Sequence, residues 1–352
     1  MVFRVVVNNA LFRTIGKATV GITLGGAGLC IGVGAYGARK INHPRERWFT
    51  DNFVLTPETL RLPYKSVTIT TDDGVELDAW WIEQTIRGEA SKNVVLCCCP
   101  FNHSKSTLLG VARGLWDNGY SVLLFDFRSY AKKKTPQTIG YLEKRDGDAA
   151  LDWLCANLPE QGKIGIVGAS MGGAVSLMLA AEKREDVIAC ATDCAFASLK
   201  DVIGVSLDQR FVTSRFFGTT SWIPIHRLLL ESICYANRIW YGYDPADVGP
   251  RHHLKDIEIP LLIVHSELDS VVPLSHGYEV FDKSSTPAAM KSFFVVKGLE
   301  HIGSFFEDQK EYTRRIVKFF DKYFDKEGEL PVNYARIDIK SIDKSDVIQA
   351  EE

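Results

Sequence analysis

The sequence lacks an excess of charge of either sign. Its 41 lysine and arginine residues are balanced by 44 aspartate and glutamate residues, which leaves a net charge of −3. Because affinity for nucleic acids depends on neutralising phosphates with basic side chains, this balance gives no support for DNA or RNA as the main partner. The hydrophobic share of 46% and the charged share of 24% are typical of folded domains and exclude a disordered or fibrous chain.

Cysteine is scarce, and no cysteine spacing is typical of a metal site. The chain has eight cysteines among 352 residues, far below the density of disulfide-stapled proteins. No CxxC pair occurs, and no cysteine and histidine spacing resembles a zinc site. Cys97, Cys98 and Cys99 are consecutive within an apolar run that predicts a strand, so we expect small, buried, reduced thiols. The sequence therefore indicates no metal and no cofactor, and it weakly favours a reducing compartment.

Near the N-terminus, residues 18–38 form a run of 21 residues without a charge. A helix needs about 20 residues to cross a bilayer, so the run predicts a single-pass membrane anchor within residues 1–45. Glycines four residues apart let two membrane helices approach closely, and they occur at Gly21/Gly25 and Gly28/Gly32. This spacing permits a dimer without requiring one. Basic residues on both flanks leave the orientation in the membrane open.

Two alternatives compete with an anchor for the same run. A cleaved signal peptide could use the small residues Ala35 and Gly37 near its cleavage site, although the run is long for one. A glycine-rich nucleotide loop would need a preceding strand and a GxGxxG pattern that leads into a helix, and neither surrounds these glycines. The anchor is therefore the favoured interpretation.

From about residue 64 to residue 323, short apolar runs alternate with amphipathic segments. Two alternating runs flank an Asp-Asp-Gly turn, at residues 66–71 and 75–82, and predict a β-hairpin. The later runs are continuously apolar, which is typical of strands buried on both faces. They are residues 93–99, 121–126, 163–167, 187–192, 260–265 and 292–296. Strands alternating with helices predict an α/β fold, in which a mostly parallel sheet is covered by helices on both faces.

We therefore assign residues 46–325 to one α/β domain. The alternation breaks at about residues 197–257, a segment rich in aromatic and aliphatic residues. It predicts a small helical insertion that caps the ligand-binding end of the sheet, and extra helices on the flank of the domain are the alternative. Residues 326–352 are polar and charged, so they predict a solvated C-terminal tail.

The most informative segment is Gly168-Ala169-Ser170-Met171-Gly172-Gly173. It lies directly after one buried strand and directly before a helix, which is the context of a nucleophile elbow. In such a turn the serine takes a strained conformation that projects its hydroxyl above the sheet. Gly168 and Gly172 lack side chains that would clash in so tight a bend. Ser170 is therefore the candidate nucleophile.

A serine hydroxyl needs a base, and the base needs an acid that orients it. Asp269 follows one buried strand in the segment His265-Ser266-Glu267-Leu268-Asp269, and His301 follows the next strand. We expect Asp269 to be the acid, with Glu267 as the alternative, and His301 to be the base. Open α/β sheets place functional residues at these strand ends.

Together these motifs resemble those of α/β-hydrolase-fold serine hydrolases. The chain is similar to membrane-anchored α/β-hydrolase-domain proteins and to the serine-aminopeptidase-like group, over about residues 64–323. The chain order Ser170, Asp269, His301 is the one this fold uses. The resemblance implies Ser170 as nucleophile, Asp269 as orienting acid and His301 as general base.

The resemblance also implies an oxyanion hole. One donor would be the N–H of Met171, directly after the nucleophile, and the other would lie in the loop after Cys99. Related hydrolases usually have His-Gly in that loop, whereas this chain has Cys99-Pro100-Phe101. Because proline has no N–H, we expect Phe101 to be the second donor.

The implied activity is hydrolysis of an acyl ester or thioester through an acyl-enzyme, without metal or cofactor. The aromatic insertion and the anchor favour a hydrophobic acyl substrate, such as a lipid or an acylated protein. One alternative is a serine peptidase that uses the same triad, and another is a hydrolase-like scaffold that binds a partner without turnover. The sequence leaves the substrate, the side of the membrane and the oligomeric state open.

Overall fold

A computed structural model describes residues 28, 31–43, 55–86, 88–132, 135–212 and 225–324. Eight strands form one sheet in the order β1-β2-β6-β5-β7-β8-β9-β10, and β3 and β4 form a separate short ladder. The strands are β1 Lys65–Thr70, β2 Glu76–Ile82, β3 Thr85–Ile86, β4 Glu89–Ala90, β5 Asn93–Cys98, β6 Ser121–Phe125, β7 Lys163–Ala169, β8 Val187–Asp193, β9 Leu261–Ser266 and β10 Lys291–Val296.

The sheet confirms the prediction of an antiparallel hairpin beside a mostly parallel set of strands. Strands β1 and β2 form the predicted antiparallel hairpin, and β2 also runs antiparallel to β6. From β6 to β10 every neighbouring pair is parallel. The carboxyl ends of these parallel strands therefore meet at one edge of the sheet, where the segments after β7, β9 and β10 bring the candidate site residues.

Nine helices lie among the described residues. They are α1 at residues 31–42, α2 Leu109–Asp117, α3 Tyr141–Asn157, α4 Met171–Ala180, α5 Leu199–Val212, α6 Ile225–Trp240, α7 Ser275–Lys283, α8 Gly303–Glu307 and α9 Gln309–Tyr323. Helix α2 packs on α9, and α3 packs on α4. In β7 a side chain at Gly165 would meet Phe320 of α9, whereas one at Gly168 would meet Ser176 of α4. Positions an odd number of residues apart point to opposite faces, so helices cover both faces of the sheet.

The centre of the sheet explains the cysteine triplet. All residues of β5 are buried, and Cys97, Cys98 and Cys99 have no solvent exposure. Burial disfavours the thiolate and raises the pKa of the Cys98 thiol to about 12. These cysteines therefore act as small core residues, as the sequence predicted.

The segment predicted as a cap insertion, residues 197–257, contains α5 and α6, while its residues 213–224 lie outside the described residues. The two helices pack on each other. Gln209 of α5 donates a hydrogen bond of 2.5 Å from Nε2 to the carbonyl oxygen of Ser270. This places α5 beside the loop that carries Asp269.

The predicted anchor, residues 18–38, lies partly outside the described residues, as does the predicted tail at 326–352. Across the part of the chain that the structure describes, no helix combines the length and the apolar character needed to cross a bilayer. The described end of the run belongs to α1, which packs against α6.

Candidate active site

Ser170 lies at the sharp turn between β7 and α4. Its backbone has φ 52° and ψ −117°, in a region that residues with side chains rarely adopt. A side chain at Gly172 would place its Cβ 2.1 Å from the carbonyl oxygen of Cys98, and one at Gly168 would lie 2.3 Å from that of Gly172. Both positions therefore require glycine, and the strained turn has the geometry expected of a nucleophile elbow.

The structure brings Ser170, His301 and Asp269 together from three separate loops. His301 Nε2 lies 2.8 Å from Ser170 Oγ, and His301 Nδ1 lies 2.6 Å from Asp269 Oδ2. Both distances are those of hydrogen bonds. Ser170 and Asp269 are buried, whereas the imidazole is partly exposed. The serine, the imidazole and the carboxylate thus form one hydrogen-bonded line.

The carboxylate of Asp269 is held from both sides. Oδ2 accepts from the imidazole, and Oδ1 accepts from the backbone N–H groups of Val271 at 2.9 Å and Val272 at 2.7 Å. Burial by itself would raise the pKa of Asp269, but the hydrogen bond and charge of His301 and the N–H of Val272 outweigh it and hold the pKa below its usual range. Asp269 is therefore ionised at neutral pH and oriented toward the imidazole.

Glu267, the alternative acid, lies elsewhere. Its Oε2 accepts a hydrogen bond of 3.0 Å from the backbone N–H of Gly298. Asp269, not Glu267, contacts His301, because the two side chains leave the loop after β9 in different directions.

The two predicted oxyanion donors come from neighbouring segments. Met171 is the first residue of α4, so its N–H precedes the first hydrogen-bonded turn of the helix. Phe101 lies in a turn just after β5, where the N–H of His103 donates to the carbonyl of Pro100. The close approach of Gly172 to Cys98 brings the start of this loop beside the elbow. The role of Phe101 as second donor remains a prediction.

Comparisons with known proteins agree with this architecture. Residues 59–223, somewhat under half of the chain, match the family model described as X-Pro dipeptidyl-peptidase (S15 family). The chain is 24% identical over 321 residues to the α/β hydrolase domain-containing protein WAV2 of Arabidopsis thaliana, covering 90% of this chain and 95% of the relative. It is 28% identical over 155 residues to the uncharacterized membrane protein YNL320W of Saccharomyces cerevisiae, covering 43% and 52% respectively.

The fold recurs in solved structures. The esterase Pf2001 of Pyrococcus furiosus superposes with a TM-score of 0.60 at 22% identity, covering 76% of this chain and 94% of the esterase. The chain has the α/β-hydrolase fold. The elbow, the strand order and the relatives all agree on this assignment.

Sequence reasoning missed two residues of this site. The first is Cys194, which follows β8. Its buried Sγ accepts hydrogen bonds of 3.4 Å from the N–H groups of Ser266 and Ile302. Its thiol donates to Ser266 Oγ at 3.6 Å, and its proximity to Asp269 contributes to lowering the pKa of that carboxyl. Cys194 thus joins the loop of the acid to the loop of the base. The sequence signal was its position at a strand end on the functional edge of the sheet.

Asp193, the residue before Cys194, was missed as well. Its carbonyl oxygen accepts from the N–H of Ser170 at 2.8 Å, and its Oδ2 accepts from Ser304 Oγ at 3.1 Å. Burial raises the pKa of this fully buried carboxyl to about 6. Because Ser304 lies in the first turn of α8, just after His301, Asp193 connects the turn at Ser170 to the loop that carries His301.

A group of side chains spaced closely enough to hold a metal ion also lies here. The ligand atoms of Cys194, His265 and Asp269 are all within 4.8 Å of one another. His265 Nε2, which is 3.6 Å from Asp269 Oδ2, lies 2.8 Å from the carbonyl oxygen of Val272. A carbonyl oxygen accepts, so this nitrogen carries a proton and directs no lone pair at the cluster. As arranged, Cys194 and His265 lie beside Asp269 and hydrogen-bond to the backbone of the neighbouring loops.

We expect Cys194→Ala to lower kcat about tenfold with little change in KM. The variant loses one or two hydrogen bonds that hold the loops of Asp269 and His301 in place, and this loss raises the activation free energy by on the order of 1–1.5 kcal/mol. Cys194→Ser keeps a donor and an acceptor and should recover most of the rate. Steady-state kinetics on one ester would measure both. Cys190→Ala, at a buried position of β8 shortly before Cys194, is the matched control. Equal losses in the alanine and serine variants would show that Cys194 contributes only packing.

Proposed function

We propose that the protein hydrolyses carboxylic esters through an acyl-enzyme formed on Ser170. The observation that carries the proposal is the continuous hydrogen-bonded line from Ser170 Oγ through His301 to Asp269 Oδ2, with distances of 2.8 and 2.6 Å. Acyl transfer requires a nucleophile, a base and an orienting acid in this order.

In the proposed reaction, Ser170 Oγ attacks the carbonyl carbon while His301 Nε2 takes the serine proton. The ionised Asp269 stabilises the imidazolium and fixes the proton on Nδ1. The N–H groups of Met171 and Phe101 would stabilise the oxyanion. His301 then protonates the departing alkoxide, which leaves an acyl-serine. Water, activated by the same imidazole, attacks the acyl group and restores Ser170.

Apolar side chains next to the acid and the base support a hydrophobic substrate. Leu268 and Val271 flank Asp269 and are 54% and 44% exposed, and Phe306, five residues after His301, is 61% exposed. Exposed apolar groups near a polar catalytic line are suited to bind an acyl chain. We therefore infer an ester with a hydrophobic acyl group, such as a lipid or an acylated protein.

Membrane attachment is part of the proposal. It is supported by the uncharged run at residues 18–38 and by the description of the yeast relative as a membrane protein. Attachment would hold the enzyme at the surface where hydrophobic esters concentrate.

A peptidase that uses the same residues is the second candidate, and the match of residues 59–223 to the S15 peptidase family favours it. That match includes Ser170 but ends before Asp269 and His301. It therefore bears on the elbow half of the domain and not on the complete site.

A substrate panel tests the proposal. The full-length chain in mild detergent would be assayed on p-nitrophenyl esters of short, medium and long acyl chains and on an Xaa-Pro dipeptide arylamide. We expect ester turnover to exceed arylamide turnover and to favour the longer chains. Faster arylamide hydrolysis would favour the peptidase. A folded protein that neither turns over any substrate nor reacts with a fluorophosphonate would indicate a binding scaffold.

A further inference from the structure

Helix α1 packs unusually closely on α6 of the insertion. A Cβ added at Gly34 would lie 2.6 Å from the carbonyl oxygen of Ser232, and one at Gly37 would lie 2.7 Å from Cγ1 of Ile233. Ala38, on the same face, has no solvent exposure. Small residues four apart allow two helix backbones to approach in this way. The contact is therefore specified by glycine and alanine at these positions.

A buried polar group fixes the register of the contact. Asn42, at the end of α1, donates from Nδ2 to Asn237 Oδ1 at 2.6 Å and to the carbonyl of Ala38 at 2.8 Å. Its Oδ1 accepts from the hydroxyl of Tyr243 at 3.1 Å. Buried amides that are fully paired allow only one arrangement of the groups around them. Helices α1 and α6 thus form one rigid unit.

This unit overlaps the predicted anchor. The uncharged run ends at residue 38, so the turn of α1 that contacts α6 is also the last part of the run. A helix rises 1.5 Å per residue, so a membrane segment ending in this turn brings the bilayer boundary to within about one or two turns, roughly 5–10 Å, of α6. If the run enters lipid, α6 lies at the lipid–water interface.

The outward side of α1 and α6 carries the types of side chain that are favoured at a membrane interface. Half of the large exposed hydrophobic side chains of the described residues lie on these two helices: Ile31, Tyr36, Leu228, Tyr235, Ile239 and Trp240. Leu228, Tyr235 and Ile239 are seven and four residues apart, so they lie on one side of α6. Tryptophan and tyrosine are favoured at membrane interfaces, and Arg39 and Lys40 of α1 would meet anionic head groups.

We infer that α1, the exposed row of α6 formed by Leu228, Tyr235 and Ile239, and Trp240 at the end of α6 form a lipid-facing platform that seats the insertion on the membrane surface. The inference rests on the membrane attachment proposed above. Helix α5, which packs on α6, reaches the acid loop through Gln209 and Ser270. The platform therefore places the active site beside the lipid surface, and the substrate class it suits is an acyl ester that enters from the bilayer.

Two measurements on the full-length chain in vesicles of phosphatidylcholine and phosphatidylglycerol test the platform. Brominated phosphatidylcholine should quench tryptophan fluorescence, and Trp240→Phe should remove most of that quenching. Ile239→Glu should lower turnover of a vesicle-borne long-chain ester about tenfold or more, because a charged side chain replaces an apolar one at the proposed lipid contact. Turnover of a soluble short-chain ester by the same variant should stay within twofold of wild type, which shows that it is folded.

A matched comparison is available between Leu228→Glu and Leu55→Glu. The two leucines are 51% and 50% exposed, and only Leu228 lies on α6. Only Leu228→Glu should reduce turnover in vesicles. A chain that does not float with vesicles would overturn the membrane attachment itself. A chain that floats, while both leucine variants behave alike and Trp240 is not quenched, would overturn the platform alone. If Ile239→Cys forms a disulfide between two chains, the exposed row of α6 contacts a second copy of the protein. This result would also overturn the platform.

Discussion

Ser170→Ala is expected to lower kcat by a factor of about 10⁶, because removal of the nucleophile leaves only binding and the oxyanion donors. The variant should fold, since alanine retains the Cβ that the elbow accommodates. Labelling by a fluorophosphonate should disappear, while KM for residual turnover changes little. Stopped assays at high enzyme concentration, together with gel fluorescence of the probe, would measure both effects.

The matched control is Ser176→Ala in the same helix. Ser176 donates from Oγ to the carbonyl of Gly172 at 2.7 Å and does not touch His301. Its loss should cost about 1 kcal/mol of stability and leave probe labelling intact. Persistence of labelling in Ser170→Ala would place the nucleophile elsewhere and contradict the assignment of the site.

The second large effect is expected for Asp269→Asn, which should lower kcat by about 10⁴. An asparagine side chain can donate its amide N–H to His301 Nδ1, which stabilises the tautomer with a proton on Nε2 and removes the acceptor for the serine proton. Steady-state kinetics on a long-chain ester would measure the loss. Glu267→Gln is the control, and it should stay close to wild type because Glu267 bonds to the N–H of Gly298. A larger loss in Glu267→Gln would reverse the assignment of the acid.

The same variant has a signature in the pH dependence of stability. The folded pKa of Asp269 lies below its unfolded value, so the ionised carboxylate stabilises the fold above the unfolded pKa. This contribution is lost as the pH falls through the folded pKa. The difference in the free energy of unfolding between wild type and Asp269→Asn should therefore be largest near neutral pH and shrink in acid. Urea titrations at several pH values would measure it.

Local patterns in the sequence predict the class of fold and the candidate residues Ser170, Asp269 and His301. Buried strands, helical segments and turn residues are local patterns, and each follows from the preferences of neighbouring residues. The elbow is likewise a local feature, because Gly168, Ser170 and Gly172 satisfy one tight turn within a few residues. Asp269 and His301 were identified because parallel strands bring their carboxyl ends to one edge.

The groups that surround these three residues, and the contacts of the described end of the N-terminal run, follow only from the folded domain. The choice between Glu267 and Asp269 depended on the direction in which each side chain leaves its loop. Cys194 and Asp193 became visible as links only when three loops, distant in sequence, met at the sheet edge. The docking of α1 on α6 through Gly34 and Asn42 joins residues almost two hundred positions apart. Contacts of this kind depend on packing and burial across the whole domain, which no local spacing of residues encodes.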